Sequence, residues 1–247
     1  MRRIKLIVSY DGTEFHGWQV QPALPTIQGS LEEIVTQIEG KPVRVEGSGR
    51  TDAGVHALAQ VAAFSIENPI PVDNLRRALN HLLPPAIRVL GAEEAPPDFH
   101  PRHHAVAKTY EYRIFRGEVP SPFERRYIHH HPYPLDVDRI LLAARLFEGE
   151  HDFSAFAASD EKDLLGLSKV RTIFSSRAEQ EGARLIYRVR GSGFLKHMVR
   201  NIVGTLIQSG RGNISEADIR ALLAPGAVVK GGPTAPACGL FLISVEY

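Results

Sequence analysis

Two stretches of the sequence hold side chains in patterns that could do chemistry. The denser is Gly47-Ser48-Gly49-Arg50-Thr51-Asp52-Ala53-Gly54-Val55-His56, with three glycines within eight positions. Glycine at that density lets a backbone turn sharply or come close to a ligand. Asp52 lies among small residues, and Arg50 nearby can keep its carboxylate ionised. An accessible, charged carboxylate can serve as a nucleophile or as a base. The same spacing also suits a plain turn in which Asp52 bonds its own backbone. It is not a phosphate loop, because no Gly-Lys-Ser/Thr follows.

The other stretch is Arg184-Leu185-Ile186-Tyr187-Arg188-Val189-Arg190. Strand alternation puts Leu185, Tyr187 and Val189 on one face and Arg184, Arg188 and Arg190 on the other. Lys196, His197 and Arg200 follow on a segment that reads as helix, where Lys196 and Arg200 share a side. From Lys169 to Arg200 there are eight basic residues against two acidic ones. Such a surface would position phosphates without reading bases, and an ordinary solvated sheet face is the alternative.

Other residues carry weaker signals. Asp11-Gly12 opens a turn that runs to Trp18, the only tryptophan, and a hairpin with a packed indole explains it. Tyr110 and Tyr112 share one side of an alternating strand, as core residues with a bonded tip or as a surface for a base. His129-His130-His131 invites a metal reading. Adjacent strand residues point to opposite faces, though, so only His129 and His131 could act together. No His-Glu-x-x-His is present, and no metal site is expected. Ser154 and Ser192 lack the glycine elbow of a nucleophilic serine.

These residues need a scaffold, and 247 residues suffice for one large domain or two small ones at about 150 per domain. A composition of 43% hydrophobic and 23% charged residues fits a globular protein. The lone Cys238 excludes an internal disulfide and any cysteine-clustered metal site, and points to the cytoplasm. Net charge is +1, so the chain as a whole is not a basic nucleic-acid glue. No stretch reaches 18 apolar residues, so no membrane span is expected. Lys5 and Asp11 interrupt any leader after Met1-Arg2-Arg3.

The pattern predicts strands at Ile4–Tyr10, Val43–Glu46, Val61–Ile66 and Ile87–Leu90. A helix lies between the first two, capped by Thr26 or by Ser30 with Glu33, and ends at Gly40. A second helix, capped by Asp73, stops before Pro84-Pro85. The order recurs: a strand at Val106–Phe115, a helix from Asp136, strands at Val170–Ser175 and Arg184–Arg190, a helix at Leu195–Gln208, and a strand at Leu240–Val245. Ser215–Leu223 is an added helix. Two β-α-β-β-α-β units make an α+β protein of two ferredoxin-like halves, residues 1–100 and 101–247, joined near 91–105. Paired halves commonly leave a cleft, here expected to be basic.

Gly49-Arg50-Thr51-Asp52-Ala53-Gly54-Val55-His56 resembles the signature of the tRNA pseudouridine synthase A family. So do Tyr10-Asp11-Gly12-Thr13, Phe15-His16-Gly17-Trp18-Gln19, Lys108-Thr109-Tyr110, His151-Asp152-Phe153, Phe194 to Asn201, Thr234 to Ala237, and Gly239-Leu240. Many motifs in one order are far more specific than any one of them. The resemblance implies a pseudouridine synthase fold and isomerisation of uridine to pseudouridine at positions 38 to 40 of the tRNA anticodon stem-loop. It implies no cofactor, no metal, a homodimer, and Asp52 as catalyst. It also implies that Tyr110 lines the substrate pocket. Arg50, Arg200 and Leu240 are the other candidate substrate contacts, while the strand pattern above makes Arg184, Arg188, Arg190 and Lys196 the candidate phosphate contacts. An ion pair from Arg200 to Asp52 is expected, with Arg190 as second choice. Ser159–Ser168 departs from the family pattern. A non-catalytic RNA-binding protein on ferredoxin-like folds is the competing class. It is disfavoured because no Gly-Phe-Gly-Phe-type strand is present.

Overall fold

The computed structural model describes residues 1–159, 166–227 and 231–247. Most of the divergent Ser159–Ser168 stretch, residues 160–165, lies outside them. The chain divides into two compact units, Met1–Val106 with Phe241–Tyr247, and Ala107–Leu240. The sequence expectation instead put the break at residue 100 and all of the last strand in the second half.

In the first unit, β1 (Arg2–Tyr10) alternates as expected, with Ile4, Leu6, Val8 and Tyr10 buried. Helix α1 (Ile27–Glu39) uses the first of its two candidate caps: Thr26 Oγ1 accepts the Gly29 N–H at 3.2 Å. Ser30 instead donates to the Thr26 carbonyl, so no Ser30–Glu33 capping box forms. Strand β2 (Glu46–Gly47) is shorter and later than the expected Val43–Glu46. Strand β3 (His56–Ile66) starts five residues early and takes in the end of the glycine-rich loop. Helix α2 (Val72–Leu82) follows Pro71, and Asp73 falls in its first turn rather than at its cap. Proline at that place needs no side-chain cap to set the entry angle. Strand β4 (Ile87–Ala95) runs five residues past Leu90.

The sheet order is β4-β1-β3 with β2 on β3, and every one of these neighbours is antiparallel. That is the split β-α-β arrangement expected for a ferredoxin-like half. The inward residues of β1 and β3 and the stripe Ile27, Leu31 and Val35 of α1 are fully buried, as are Leu75 and Leu79 of α2. Each Val, Leu, Ile or Phe side chain among them contributes roughly 1.5–3 kcal/mol by leaving water. A smaller cluster, Val61, Ala63 and Phe99 with Ala95 and Val245, covers part of the opposite sheet face.

The second unit opens with β5 (Ala107–Phe115), whose Tyr110, Tyr112 and Ile114 are buried as expected. Strand β6 (His129–His130) pairs in parallel with β5, a partner that no local pattern marks. Asp136 caps α3 (Val137–Arg145), accepting the Arg139 N–H at 3.1 Å. Strand β7 (Gly149–Asp152), likewise unmarked, is followed by β8 (Val170–Glu181) and β9 (Arg184–Gly191). The hairpin turn holds Gly182 at φ 58°, a conformation that suits glycine. Their order is β5-β9-β8-β7, antiparallel throughout.

Helix α4 (Met198–Gly210) starts three residues later than expected, because His197 takes a left-handed conformation at φ 61°. Lys196 and His197 therefore precede the helix, and the argument pairing Lys196 with Arg200 on one helical side fails. Ser215 caps α5 (Glu216–Leu222) in a full capping box with Asp218. The final strand, β10 (Leu240–Glu246), pairs in parallel with β3 through Phe241 and Leu242. Among the described residues no helix is long and apolar enough to cross a membrane.

Candidate active site

The glycine-rich stretch is a loop between β2 and β3. It contains a real turn, because the Asp52 carbonyl accepts the Val55 N–H at 3.1 Å. Asp52 is partly buried at that turn, and Arg50 is exposed two residues earlier.

The Asp11–Gln19 segment packs directly beneath this loop. Trp18 N–H donates to the Thr51 carbonyl at 3.0 Å, and Gly54 N–H donates to the Phe15 carbonyl at 3.3 Å. Two glycines permit this contact. A Cβ on Gly12 would stand 2.0 Å from the Val55 carbonyl oxygen. Gly17 has φ +87°, and a Cβ there would lie 2.6 Å from the Thr51 carbonyl oxygen.

A buried polar network secures the loop from within the sheet. The Ser48 hydroxyl donates to Gln60 Oε1 at 2.6 Å, and Gln60 Nε2 donates to the Gly49 carbonyl at 3.0 Å. Tyr10 and Thr51 share a hydroxyl–hydroxyl bond of 2.8 Å. Burial pushes the Tyr10 phenol up to about 12, so it stays protonated. Gln60 carries no signal in the sequence, where it precedes the expected strand, and Tyr10 reads as a buried strand position that opens a motif.

Asp11, the other carboxylate in a glycine turn, closes its own turn by accepting the Thr13 N–H at 3.0 Å and the Thr13 hydroxyl at 2.5 Å. His56 is buried and stacks on Phe241 at 4.7 Å. Its Nδ1 accepts the Gly12 N–H at 3.1 Å and lies 3.2 Å from Asp11 Oδ1.

In the second unit the two candidate tyrosines differ. Tyr112 is a core residue whose hydroxyl donates to the Pro236 carbonyl at 2.7 Å, and burial drives its pKa far above the ordinary value. Tyr110 meets Phe194 edge to face, with ring centroids 5.0 Å apart. Arg200, on α4, donates through Nε to the Ala235 carbonyl at 2.7 Å, while its own carbonyl accepts the Ala235 N–H at 3.1 Å. Leu240 is buried where β10 begins.

The arginine row of β9 is not a bare basic face. Strand register sets Arg188 opposite Glu111 of β5, and Arg188 Nε meets that carboxylate at 2.7 Å. Arg188 also pairs with Glu179 of β8, and Arg113 binds the same Glu111 at 2.7 Å. Burial pushes the Glu111 carboxyl up, but the bonds from Arg113 and Arg188 outweigh it and hold the group below its usual range. Arg184 pairs with Glu124. A phosphate would have to compete with these carboxylates at Arg184 and Arg188. The Arg190 guanidinium lies over the Phe174 ring at 5.0 Å, and Lys196 is exposed, its Nζ 3.5 Å from the Ser159 carbonyl. One sequence displays strand alternation but not register, so it could not show Glu111 and Glu179 beside Arg188.

His129 and His131 do meet, at 5.7 Å between ring centroids. Among the described residues, no three His, Cys, Asp or Glu side chains are placed to hold a metal ion.

The chain matches the family model described as "tRNA pseudouridine synthase" over residues 6–104 and 143–247. The Asp52 loop and β9 lie within the matched ranges, whereas Tyr110 lies between them. The chain is 70% identical over 247 residues to "tRNA pseudouridine synthase A" of Solibacter usitatus, covering all of both chains. It is 42% identical over 250 residues to the protein of that name from Lacticaseibacillus casei, and 44% identical over 247 residues to that from Pelobacter propionicus, again over the whole of both chains. With its full length aligned to these relatives, and the Asp52 loop inside the matched region, the chain belongs to the tRNA pseudouridine synthase family.

Proposed function

We propose that this protein is an isomerase that converts uridine to pseudouridine in tRNA, with Asp52 as the catalytic carboxylate. The observation that carries this reading is the family match across a loop whose backbone is tied down on both sides of Asp52. In the reaction the bond from uracil N1 to ribose C1′ breaks, and a bond from C5 to C1′ forms. N1 gains a proton and C5 loses one, so atoms and electrons balance without a redox partner.

Asp52 can start this by attacking C1′, as in glycoside chemistry, or by removing a ribose proton. Both routes need an ionised carboxylate held close to the sugar. The target base must leave its stack, which costs a few kcal/mol. Arg50, exposed on the same loop, steers the extruded nucleotide or fills its vacated place. The family resemblance puts Tyr110 in the uridine pocket; Arg200 and Leu240 are the further candidate contacts, and Arg200, with Arg190 as second choice, is the ion-pair partner of Asp52 that keeps it charged. Arg184, Arg188, Arg190 and Lys196 are the phosphate contacts, and Arg184 and Arg188 take this role by exchanging a carboxylate for a phosphate.

The finer reading is action at positions 38, 39 and 40 of the anticodon stem-loop, by a cytoplasmic homodimer that needs no cofactor. Its support is the family resemblance of the motifs. The binding-only alternative gains nothing from the relatives, which are named as synthases. The test is incubation with unmodified tRNA transcript followed by nucleoside analysis and mapping. Pseudouridine at 38–40 is expected, and its absence would overturn the reading.

A further inference from the structure

We propose that Gln60 is a positioning residue for the reaction, fixing the loop that carries Asp52. The proposal rests on the reading of Asp52 as catalyst. Gln60 lies on β3, its side chain wholly out of solvent, so it cannot touch a substrate. Its amide does two jobs at once: Oε1 accepts from the Ser48 hydroxyl at 2.6 Å, and Nε2 donates to the Gly49 carbonyl at 3.0 Å. The carbonyl partner fixes which end of the amide is nitrogen.

Nε2 also reaches the Tyr10 hydroxyl at 3.5 Å, which in turn bonds Thr51 Oγ1 at 2.8 Å. One buried amide therefore holds Ser48 and Gly49 directly and Thr51 through Tyr10. These are loop residues leading up to Asp52, while Arg50 among them points out to solvent. An apolar residue at this strand position would leave the buried Ser48 hydroxyl and the Gly49 carbonyl without their partner, and the loop would lose its tie to the sheet. A reactive carboxylate depends on such a tie, since near-attack geometry tolerates little displacement. An error of about 1 Å costs on the order of 10²-fold in rate.

The experiment compares wild type, Gln60→Leu, Gln60→Glu and Asp52→Asn on an unmodified tRNA transcript. Single-turnover rate at saturation, tRNA affinity and near-ultraviolet circular dichroism are measured from pH 5.5 to 8.5. Gln60→Leu should lose on the order of 10²-fold in rate with affinity within about twofold, an effect on kcat rather than KM.

Gln60→Glu carries the sharper readout. As a neutral acid it keeps one acceptor and one donor, and burial raises its pKa. Ionised, it turns an acceptor toward the Gly49 carbonyl. Its rate relative to wild type should be near one at low pH and fall as pH rises, with an unchanged dichroism spectrum.

If Gln60→Leu keeps the wild-type rate while Asp52→Asn is inactive, the positioning role is wrong and the Asp52 reading stands. If Asp52→Asn keeps the wild-type rate, the Asp52 reading itself falls. If Gln60→Leu does not fold, Gln60→Glu decides alone. A rate ratio flat with pH, or one that falls only together with the dichroism signal, overturns the proposal.

Discussion

His129 should make the protein lose stability as pH falls from 6.5 toward 4. Burial is the main cause of its lowered pKa, with His131 and His130 adding like-charge repulsion, and the value is driven down to about 4. Its Nδ1 is buried with no hydrogen-bond partner, and its ring stands edge to face with Tyr112 at 6.0 Å. An unfolded histidine titrates near about 6.5. The folded value is the lower one, so the unfolded chain takes up the proton first. The stabilisation is therefore complete above 6.5 and is lost on acidification. The whole window of about 2.5 units corresponds to about 3 kcal/mol, and about 2 kcal/mol of it should be gone by pH 5. Glu111 also has a lowered pKa, so its contribution is lost only at more acid pH, below the usual carboxylate range. The perturbation is His129→Phe, which keeps a ring beside Tyr112 and removes the titration. Urea unfolding at pH 7 and pH 5 gives the change in stability for each protein. Wild type should lose about 2 kcal/mol more than the variant between the two. Equal losses would refute the account of a neutral, desolvated His129.

Three further outcomes follow from the geometry. Arg190→Ala should weaken tRNA binding across sequences and lower the salt slope of log K by about one, as measured by titration at several salt concentrations. Arg188→Ala should leave Glu111 short of a partner in a buried place and cost about 1–3 kcal/mol in urea unfolding, with a smaller effect on the salt slope. Gly17→Ala should cost at least about 1 kcal/mol in the same assay and slow pseudouridine formation, because φ +87° and the Thr51 carbonyl both oppose a Cβ.

Local periodicity made the scaffold legible. The alternation of Ile4, Leu6, Val8 and Tyr10 marks a buried face, and Asp136 and Ser215 mark caps, because each signal lies within a few residues of what it predicts. Strand ends were less visible: β3 reaches back to His56 and β8 runs on to Glu181, where pairing with neighbours extends what propensity alone does not. Helix α4 begins late because one residue, His197, takes an unusual φ that no pattern announces. Asp52 stood out through the glycines around it. Its support did not, since Gln60, Tyr10 and Thr51 meet only when β1, β3 and the loop fold together. The arginine face shows the same division: alternation placed Arg188 on the correct side of β9, and register supplied Glu111 and Glu179 to it.

The most direct test of the account is the single-turnover rate of Asp52→Asn on unmodified tRNA transcript, with Asp52→Glu and Tyr110→Phe alongside. Asparagine keeps the shape and removes both nucleophilic and basic power. That variant should fold and bind tRNA as wild type does and yet form no pseudouridine. Asp52→Glu should fail as well, because one added methylene moves the oxygen by on the order of 1 Å. Tyr110→Phe keeps the ring against Phe194 and reports on the hydroxyl alone. Pseudouridine formed by Asp52→Asn at the wild-type rate would contradict the central claim that the Asp52 carboxylate carries the chemistry.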